Sequence, residues 1–191
     1  MTAARRGRPR SEGVDSAIHR AALDSLVELG YAGSSIEDIA TRAGVARPTV
    51  YRRYASKAEV LTAAIAAAFH ESNPSVPESG TAREDVRILL TNTIRMLRNT
   101  PIGEVIRAIV PELARDPDLR RLSRRLLEAR RRLLRSAIQR GIERGELAGA
   151  IDVELTIDGL LGAIYLRLLF TGQPINKKVA ADLVEELLGQ R

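Results

Sequence analysis

Apolar residues recur at three- and four-residue intervals along almost the whole chain, and no alternating or β-branched run is long enough to require a strand. This periodicity predicts an all-α fold of about nine helices. The first is expected over residues 13–29, where Ile18 and Leu26 share a face and Gly30 suits a left-handed terminator. With 45 % of its 191 residues hydrophobic, the chain can bury one good core or two small ones.

Polar residues that suit N-caps precede several predicted helices. A serine, threonine, aspartate or asparagine side chain accepts a hydrogen bond from a free amide of the first turn. This pattern predicts caps at Ser35, Ser56, Thr81, Asp152 and Asn176. Two prolines mark further helix starts, because Pro111 must kink or restart its helix and Pro117 suits the first turn of a long one.

The clearest break in the pattern is ESNPSVPESG, residues 71–80, which holds two prolines, three serines and a glycine. Regular structure is expected to stop there. We therefore predict a flexible basic arm over residues 1–12, a first helical domain over 13–70 that includes a linking fourth helix, a linker over 71–80 and a second helical domain over 81–191.

Composition excludes several classes of function. The 30 Lys+Arg against 24 Asp+Glu give a net charge of +6, which indicates an anionic partner without choosing among nucleic acid, lipid and acidic protein. With no cysteine and two histidines, and with no nucleophile–base pattern, we expect no disulfide, no metal, no cofactor and no enzyme activity. We find no export signal and no apolar run that could span a bilayer, so a cytoplasmic protein is expected.

The segment from Ser35 to Tyr54 predicts a helix-turn-helix. Two short helices flank Gly44, and the second can enter a major groove about 12 Å wide. Val50 and Tyr54 fall at spacings that keep them against the other helices. The residues expected to turn outward toward the bases are Arg47, Thr49, Arg52 and Arg53. Arginine pairs bidentately with guanine O6 and N7, and threonine can bond a base or touch a thymine methyl.

Other residues are predicted to contact the DNA backbone. Tyr51 and Lys57 are better placed for phosphates than for bases, and Ser35 and Pro48, at the helix starts, complete the predicted DNA-binding set. The basic arm contributes Arg5, Arg6, Arg8 and Arg10. It is expected to follow the backbone or enter a minor groove, and the alternative is a disordered solubilising tail.

The run GYAGSSIEDIATRAGVARPTVYRRYASKAEVL resembles the DNA-binding domain of the tetracycline-repressor (TetR) family. The matching positions are Ile39-Ala40, Ala43-Gly44-Val45, Thr49-Val50-Tyr51, Tyr54 and Ser56-Lys57. Two departures are Ala46, where a polar cap is usual, and Tyr54, where phenylalanine is commoner. The resemblance implies that Tyr51 and Lys57 hold phosphates and that the outward residues of the third helix lie nearest the bases.

The same resemblance implies that the rest of the chain binds a small molecule and dimerises. Independent support comes from residues 157–170, in which Asp158 and Arg167 are the only charges, so that a helix there needs cover on more than one side. The predicted dimer interface comprises Gly159, Gly162, Ala163, Leu166, Leu183 and Leu187. Two-fold symmetry would then demand a pseudo-palindromic operator.

The leading interpretation is a repressor that leaves its operator when a small molecule fills the second domain. The alternative is an architectural DNA-binding dimer without an effector. The ligand pocket is not defined by the sequence, and Met96 and Tyr165 are candidates that could equally belong to the core. The basic run Arg120–Arg135 is interpreted as a solvated amphipathic helix, with an acidic effector or a second nucleic-acid contact as alternatives.

Overall fold

The computed structural model describes residues 9–189, which contain nine α-helices and no strand. The all-α prediction is confirmed. The helices are α1 (Pro9–Gly33), α2 (Ile36–Arg42), α3 (Arg47–Tyr51), α4 (Lys57–Ser72), α5 (Ala82–Asn99), α6 (Ile102–Ile109), α7 (Pro117–Glu143), α8 (Val153–Leu166) and α9 (Lys177–Leu188). As predicted, α1 is interrupted at Gly30, whose φ of 69° lies in the left-handed region.

The boundaries of the predicted arm and of the predicted linker both differ from the sequence prediction. Because α1 begins at Pro9, Arg10 belongs to a helix rather than to the predicted arm, while Arg5, Arg6 and Arg8 lie outside the described residues. At the other boundary, α4 runs two residues into the predicted linker and ends at Ser72.

The predicted N-caps are present. The side-chain oxygens of Ser35, Ser56 and Thr81 accept from the amides of Asp38, Glu59 and Glu84 at 3.1, 3.2 and 3.2 Å. Asp152 and Asn176 accept from Leu155 and Val179 at 3.0 and 3.1 Å. Each bond satisfies an amide that the helix itself leaves free, a contribution of about 1 kcal/mol.

The C-terminal end of α8 differs from the prediction, in which this helix reached about Phe170. The α-helix stops at Leu166 and passes into a π-helical turn, Arg167–Thr171, which Gly172 terminates. Pro111 restarts the chain as predicted, in a short 3₁₀ helix over Val110–Ala114. None of the helices in the described range combines the length and the apolar character that crossing a bilayer requires.

The helices pack as two connected groups. In the first, α1 lies against α2, α4 and α6, and α3 lies against α2. In the second, α5 packs on α6, α7 and α9, and α8 packs on α7 and α9. Fully buried aliphatic side chains such as Leu26, Leu61, Leu90 and Ile138 form the core, each contributing about 1.5–3 kcal/mol by burial. Because α4 contacts α1 as well as α5 and α7, it connects the two groups.

Candidate nucleic-acid interface and ligand cavity

A glycine-containing turn sets the angle between α2 and α3. Gly44 has a φ of 65°, which glycine adopts without steric cost. The amides of Gly44 and Val45 donate to the carbonyl oxygens of Thr41 and Ala40 at 3.1 and 3.0 Å. Val50 of α3 is fully buried against the first group of helices. One side of α3 is therefore fixed to the protein, and the opposite side faces solvent.

Tyr54 anchors the segment after α3 through a contact with α1. Nε2 of His19 lies 2.8 Å from the Tyr54 hydroxyl, and the two ring centroids are 5.9 Å apart. Burial lowers the pKa of His19, an effect that the carboxylates of Asp15 and Glu71 partly oppose. The neutral imidazole is therefore the form that this contact favours at neutral pH.

The solvent-facing side of α3 is cationic. Arg47 is 55 % exposed, and Arg52 and Tyr51 are also exposed. One nitrogen of Arg47 lies 2.5 Å from Glu37 of α2 and 3.1 Å from the Tyr51 hydroxyl. Within the part of the chain that the structure describes, the Arg52 side chain has no hydrogen bond or ion pair, and Thr49 is half-buried. The contact of these side chains with DNA stays a prediction.

Arg53 does not face outward, and the prediction that it would do so is wrong. Its Nε donates to Asp15 of α1 at 2.7 Å, and its Nη1 donates to the carbonyl oxygen of Thr49 at 3.1 Å. The side chain is only 23 % exposed. A charge-assisted bond to a nearby carboxylate is stronger than one to water, so the guanidinium folds back and ties α3 to α1.

Lys57 is also engaged within the protein. Its ammonium donates to the carbonyl oxygens of Tyr31 and Ser34, the latter at 3.0 Å, and stands 4.1 Å from the centre of the Tyr31 ring. Burial lowers the pKa of Lys57, and the carboxylates of Asp116 and Glu112 partly oppose this. The cation thus binds carbonyl groups at the end of α1. Because two of its three N–H groups bind these carbonyl oxygens, one is left to donate to a DNA phosphate. The phosphate contact of Lys57 stays a prediction.

The remaining predicted DNA-binding residues lie at helix starts. Ser35 is half-buried and its hydroxyl is used as the cap of α2. Pro48 is exposed in the first turn of α3. The methyl side chain of Ala46 cannot accept a hydrogen bond, so α3 begins without the side-chain cap that stabilises α2 and α4.

A short hydrogen bond joins the first helix to the seventh. The Tyr31 hydroxyl donates to Oδ2 of Asp116 at 2.5 Å, and Oδ1 of Asp116 accepts from the Leu119 amide at 2.9 Å. The Leu119 amide and then the Tyr31 hydroxyl hold the pKa of Asp116 below its usual range. With the same carboxylate, Asp116 therefore caps α7 and binds Tyr31 of α1, the helix that together with α2 and α3 forms the helix-turn-helix unit.

A cavity of about 200 Å³ lies between α4, α5, α7 and α8. Its apolar wall includes Phe69, Leu89, Leu90, Leu133, Leu134 and Leu161. Asn73, at the end of α4, donates to the Leu89 carbonyl oxygen and to the Thr93 hydroxyl, both at 3.3 Å. Met96 is buried but does not line this cavity, and Tyr165 adjoins it only through Arg130, so neither candidate from the sequence is a wall residue.

Two family models match the chain. Residues 18–64 match "Bacterial regulatory proteins, tetR family", and residues 76–187 match "Tetracyclin repressor-like, C-terminal domain". The chain belongs to the TetR family. Regulators of the TetR family bind DNA and act as dimers.

Individual TetR-family relatives match over nearly the whole chain. The uncharacterized HTH-type transcriptional regulator YdeS of Bacillus subtilis is 35 % identical, over 94 % of this chain and 90 % of its own. The DNA-binding transcriptional repressor TetR of Mycobacteroides abscessus is 30 % identical, over 94 % of each chain. Among solved structures, the regulator FadR of Bacillus subtilis in complex with stearoyl-CoA superposes with a TM-score of 0.75 at 22 % identity, covering 90 % of this chain and 96 % of that one. The last match concerns the fold alone.

One face of α8 carries exposed apolar side chains. Leu155 is 68 % exposed and Leu166 is 53 % exposed, and Phe170 in the following turn is 77 % exposed. A Cβ at Gly162, which lies between them, would meet no atom within 4 Å. Positions 155, 162 and 166 share a face of α8, and Phe170 extends it in the following turn, so they form an apolar stripe that no described part of the chain covers.

The other predicted interface residues pack partly within the chain. A Cβ at Gly159 would lie 3.0 Å from a Leu187 methyl of α9, so this glycine permits the close approach of α9 to α8. Ala163 and Leu183 are half-buried. Leu155 and Phe170 were missing from the predicted set, although their spacing from Leu166 could have identified them.

Three further residues were not identified from the sequence: Glu37, Asp116 and Arg130. Asp116 had a local signal, since an aspartate immediately before a first-turn proline is a typical N-cap. Arg130 had a weaker one, because it stands four residues after Leu126 and three before Leu133, on the apolar side of α7.

Proposed function

We propose that this TetR-family regulator binds a pseudo-palindromic operator as a homodimer, represses transcription, and leaves the operator when a small molecule fills the cavity. The observation that carries this proposal is one arrangement of two helices. Both α4 and α7 line the cavity, and both also reach the helix-turn-helix unit.

The exposed cationic face of α3 supports sequence-specific binding. Arg52 is free to reach a base edge, and Arg47 can exchange Glu37 for one. A guanidinium that bonds guanine O6 and N7 discriminates against other bases by about 1–3 kcal/mol. Arg53, bound to Asp15, instead holds α3 in place for this contact.

The uncovered stripe of α8 supports dimerisation. Leu155, Gly162, Leu166 and Phe170 present an apolar surface whose central glycine allows a second helix to approach closely. A two-fold axis at this stripe would bring α8 and α9 of two copies into a four-helix interface. The two α3 helices would then read half-sites about one helical turn apart, or a multiple of it.

Communication between cavity and DNA is assigned to α4 and α7. At its N-terminal end α4 carries Lys57, which binds the end of α1, and at its C-terminal end it presents Phe69 to the cavity. For α7 the corresponding residues are its N-cap Asp116, which is bonded to Tyr31, and Arg130, which lines the cavity. A ligand that binds one arrangement of these helices better than another shifts the spacing of the DNA-reading units.

Two relatives support the ligand-responsive repressor. The Mycobacteroides abscessus protein is a transcriptional repressor, which favours repression over activation. FadR, whose fold is similar, holds stearoyl-CoA, which favours a ligand-binding role for the helical second half of the fold without specifying the ligand. The cavity favours this function over the effector-independent architectural dimer.

Selection of bound duplexes from a random DNA library tests the proposal. The full chain should enrich one inverted-repeat sequence, and fluorescence anisotropy should show that this duplex binds at least about a thousandfold tighter than a scrambled one. Recovery of sequences without a common motif, with affinity set by salt alone, would instead support the architectural dimer.

A further inference from the structure

We propose, on the basis of the ligand-responsive function above, that the cavity binds a small carboxylate with an apolar body, whose carboxylate is held by Arg130. The contacts of Arg130 distinguish it from the other arginines of α7. Its guanidinium carbon lies 3.8 Å from the centre of the Phe69 ring and 5.5 Å from that of Tyr165, and its Nη1 donates to the Tyr165 hydroxyl.

The second terminal nitrogen of Arg130 is buried and has no hydrogen-bond partner in the described structure. Among the side chains that the structure describes, those of residues 13–189, no carboxylate forms an ion pair with Arg130. The adjacent positions contrast with it: Arg131 and Arg135 each lie 2.5 Å from Glu154, and together they lower the pKa of that carboxyl to about 2. Arg131 and Arg135 thus have a carboxylate counter-ion, whereas Arg130, at the cavity, has none among the described side chains.

An arginine cannot relieve this burial by losing its proton. A buried charge without a counter-ion is unfavourable, and stacking on two aromatic rings offsets only part of the cost. A ligand anion would compensate the remaining cost of burying this charge, because a guanidinium with free N–H groups binds oxyanions with charge-assisted hydrogen bonds. The unmatched nitrogen therefore indicates an anion at this end of the cavity.

Much of the remaining wall suits an apolar body for the ligand. The leucines of α5, α7 and α8 offer no hydrogen-bonding side chain, so they favour an aliphatic or aryl group, while the polar side chains of His70, Asn73 and Thr93 line another part of the wall. An apolar cavity of about 150 Å³ holds one benzene molecule, so the volume of about 200 Å³ suits a body of similar or slightly larger size. One guanidinium balances the single charge of a carboxylate, whereas a phosphate monoester carries nearly two charges at neutral pH.

Three probes with the same chain length separate these chemistries: sodium octanoate, octyl phosphate and 1-octanol. Isothermal titration calorimetry of the full chain without DNA should show octanoate binding at least about tenfold tighter than octanol. Octanoate should also bind tighter than octyl phosphate. If octyl phosphate binds tighter, the carboxylate assignment is overturned. If octanol binds as tightly as octanoate, the role of the guanidinium is overturned as well.

Arg130→Met tests the residue, and Arg132→Met, which removes the same charge from an exposed position of α7, is its control. The first variant should lose at least about tenfold in octanoate affinity and keep its octanol affinity, while the second should match the parent. Without ligand, Arg130→Met should melt no lower than the parent, since an unpaired buried charge is gone. Equal octanoate affinity in parent and Arg130→Met would contradict the proposal.

Operator release is measured separately by anisotropy with the selected duplex. If octanoate binds through Arg130 but does not release DNA, the site stands and the ligand-responsive function fails. If octanoate does not bind through Arg130 while the chain still selects an inverted repeat, the site fails and sequence-specific regulation stands. Should Arg130→Met not fold, the comparison of the three probes on the parent chain still decides the chemistry.

Discussion

The Tyr31 hydroxyl donates a 2.5 Å hydrogen bond to Asp116, which lies 85 residues further along the chain. This bond connects the end of α1 in the helix-turn-helix unit with the N-cap of α7. Lys57 stands over the same tyrosine ring and donates to the Tyr31 carbonyl oxygen, so a movement of α7 would act on a residue that both α4 and α7 contact.

Tyr31→Phe should therefore uncouple the two halves without unfolding the chain. It removes one bond to a charged carboxylate that keeps its bond from the Leu119 amide, so the free energy of unfolding should fall by about 1.5–3 kcal/mol. Urea denaturation checks the stability, and ligand titration of the operator complex should show weaker release. Tyr51→Phe, at an exposed ring, is the stability control and should change unfolding by less. An unchanged response to ligand in Tyr31→Phe would exclude this bond from the coupling.

Arg52→Ala and Arg47→Ala should relax sequence preference at particular base pairs. Each loss should reduce discrimination by about 1–3 kcal/mol, because a bidentate contact to a base is removed. Competition binding with single-base operator variants measures the effect. The control is Arg124→Ala, an exposed arginine of α7 far from α3 in sequence, which should leave the preference unchanged. If both α3 variants retain the parent's preference, α3 does not read the bases.

Acidification should destabilise the helix-turn-helix unit through His19. Burial lowers the pKa of His19 below 6.5, so the unfolded chain binds a proton more readily than the folded one. The contribution of the neutral form is present above pH 6.5 and is lost as the pH falls through the folded-state pKa. Urea denaturation at about pH 7.5 and about pH 5.5 should show lower stability at the acidic pH. His19→Gln should have a smaller difference, and an equal difference would assign the effect to other groups.

Gly162→Arg should convert the protein to monomers. A large charged side chain at the centre of the α8 stripe would prevent a second helix from approaching, whereas the same side chain has room in a single chain. Sedimentation velocity measures the change. Gly149→Arg, at another exposed glycine with no atom within 4 Å of a Cβ, should remain dimeric. Dimers in both variants would place the interface elsewhere.

Local features of the fold were predictable from the sequence because their causes lie within a few residues. Ser35 caps α2 through an amide three residues away, and the positive φ angles of Gly30 and Gly44 interrupt α1 and follow the end of α2, respectively. The π-helical turn after Leu166 was missed because nothing in the apolar pattern distinguishes it from a continuing α-helix.

The candidate site was predictable only in part, because some of its side chains are oriented by partners that lie far away in the sequence. The exposure of Arg47 and Arg52 follows from their spacing relative to Val50. The inward turn of Arg53 depends on Asp15, 38 residues earlier, and no periodicity in α3 reports where that carboxylate lies. Arg130 lies on the leucine-bearing side of α7, but the sequence does not show that it lacks a counter-ion, because that depends on residues distant along the chain.

The pairing of Arg47 with Glu37 bears on how fast such a regulator locates its target. If Arg47 reads a base as proposed, Glu37 would compete with every phosphate for the same cation until both N–H groups of Arg47 meet that base. Glu37 would then weaken the attraction to arbitrary DNA more than it weakens the final complex. Each unproductive encounter in a genome would be shorter, and replacing Glu37 with glutamine would lengthen residence on unrelated sequence.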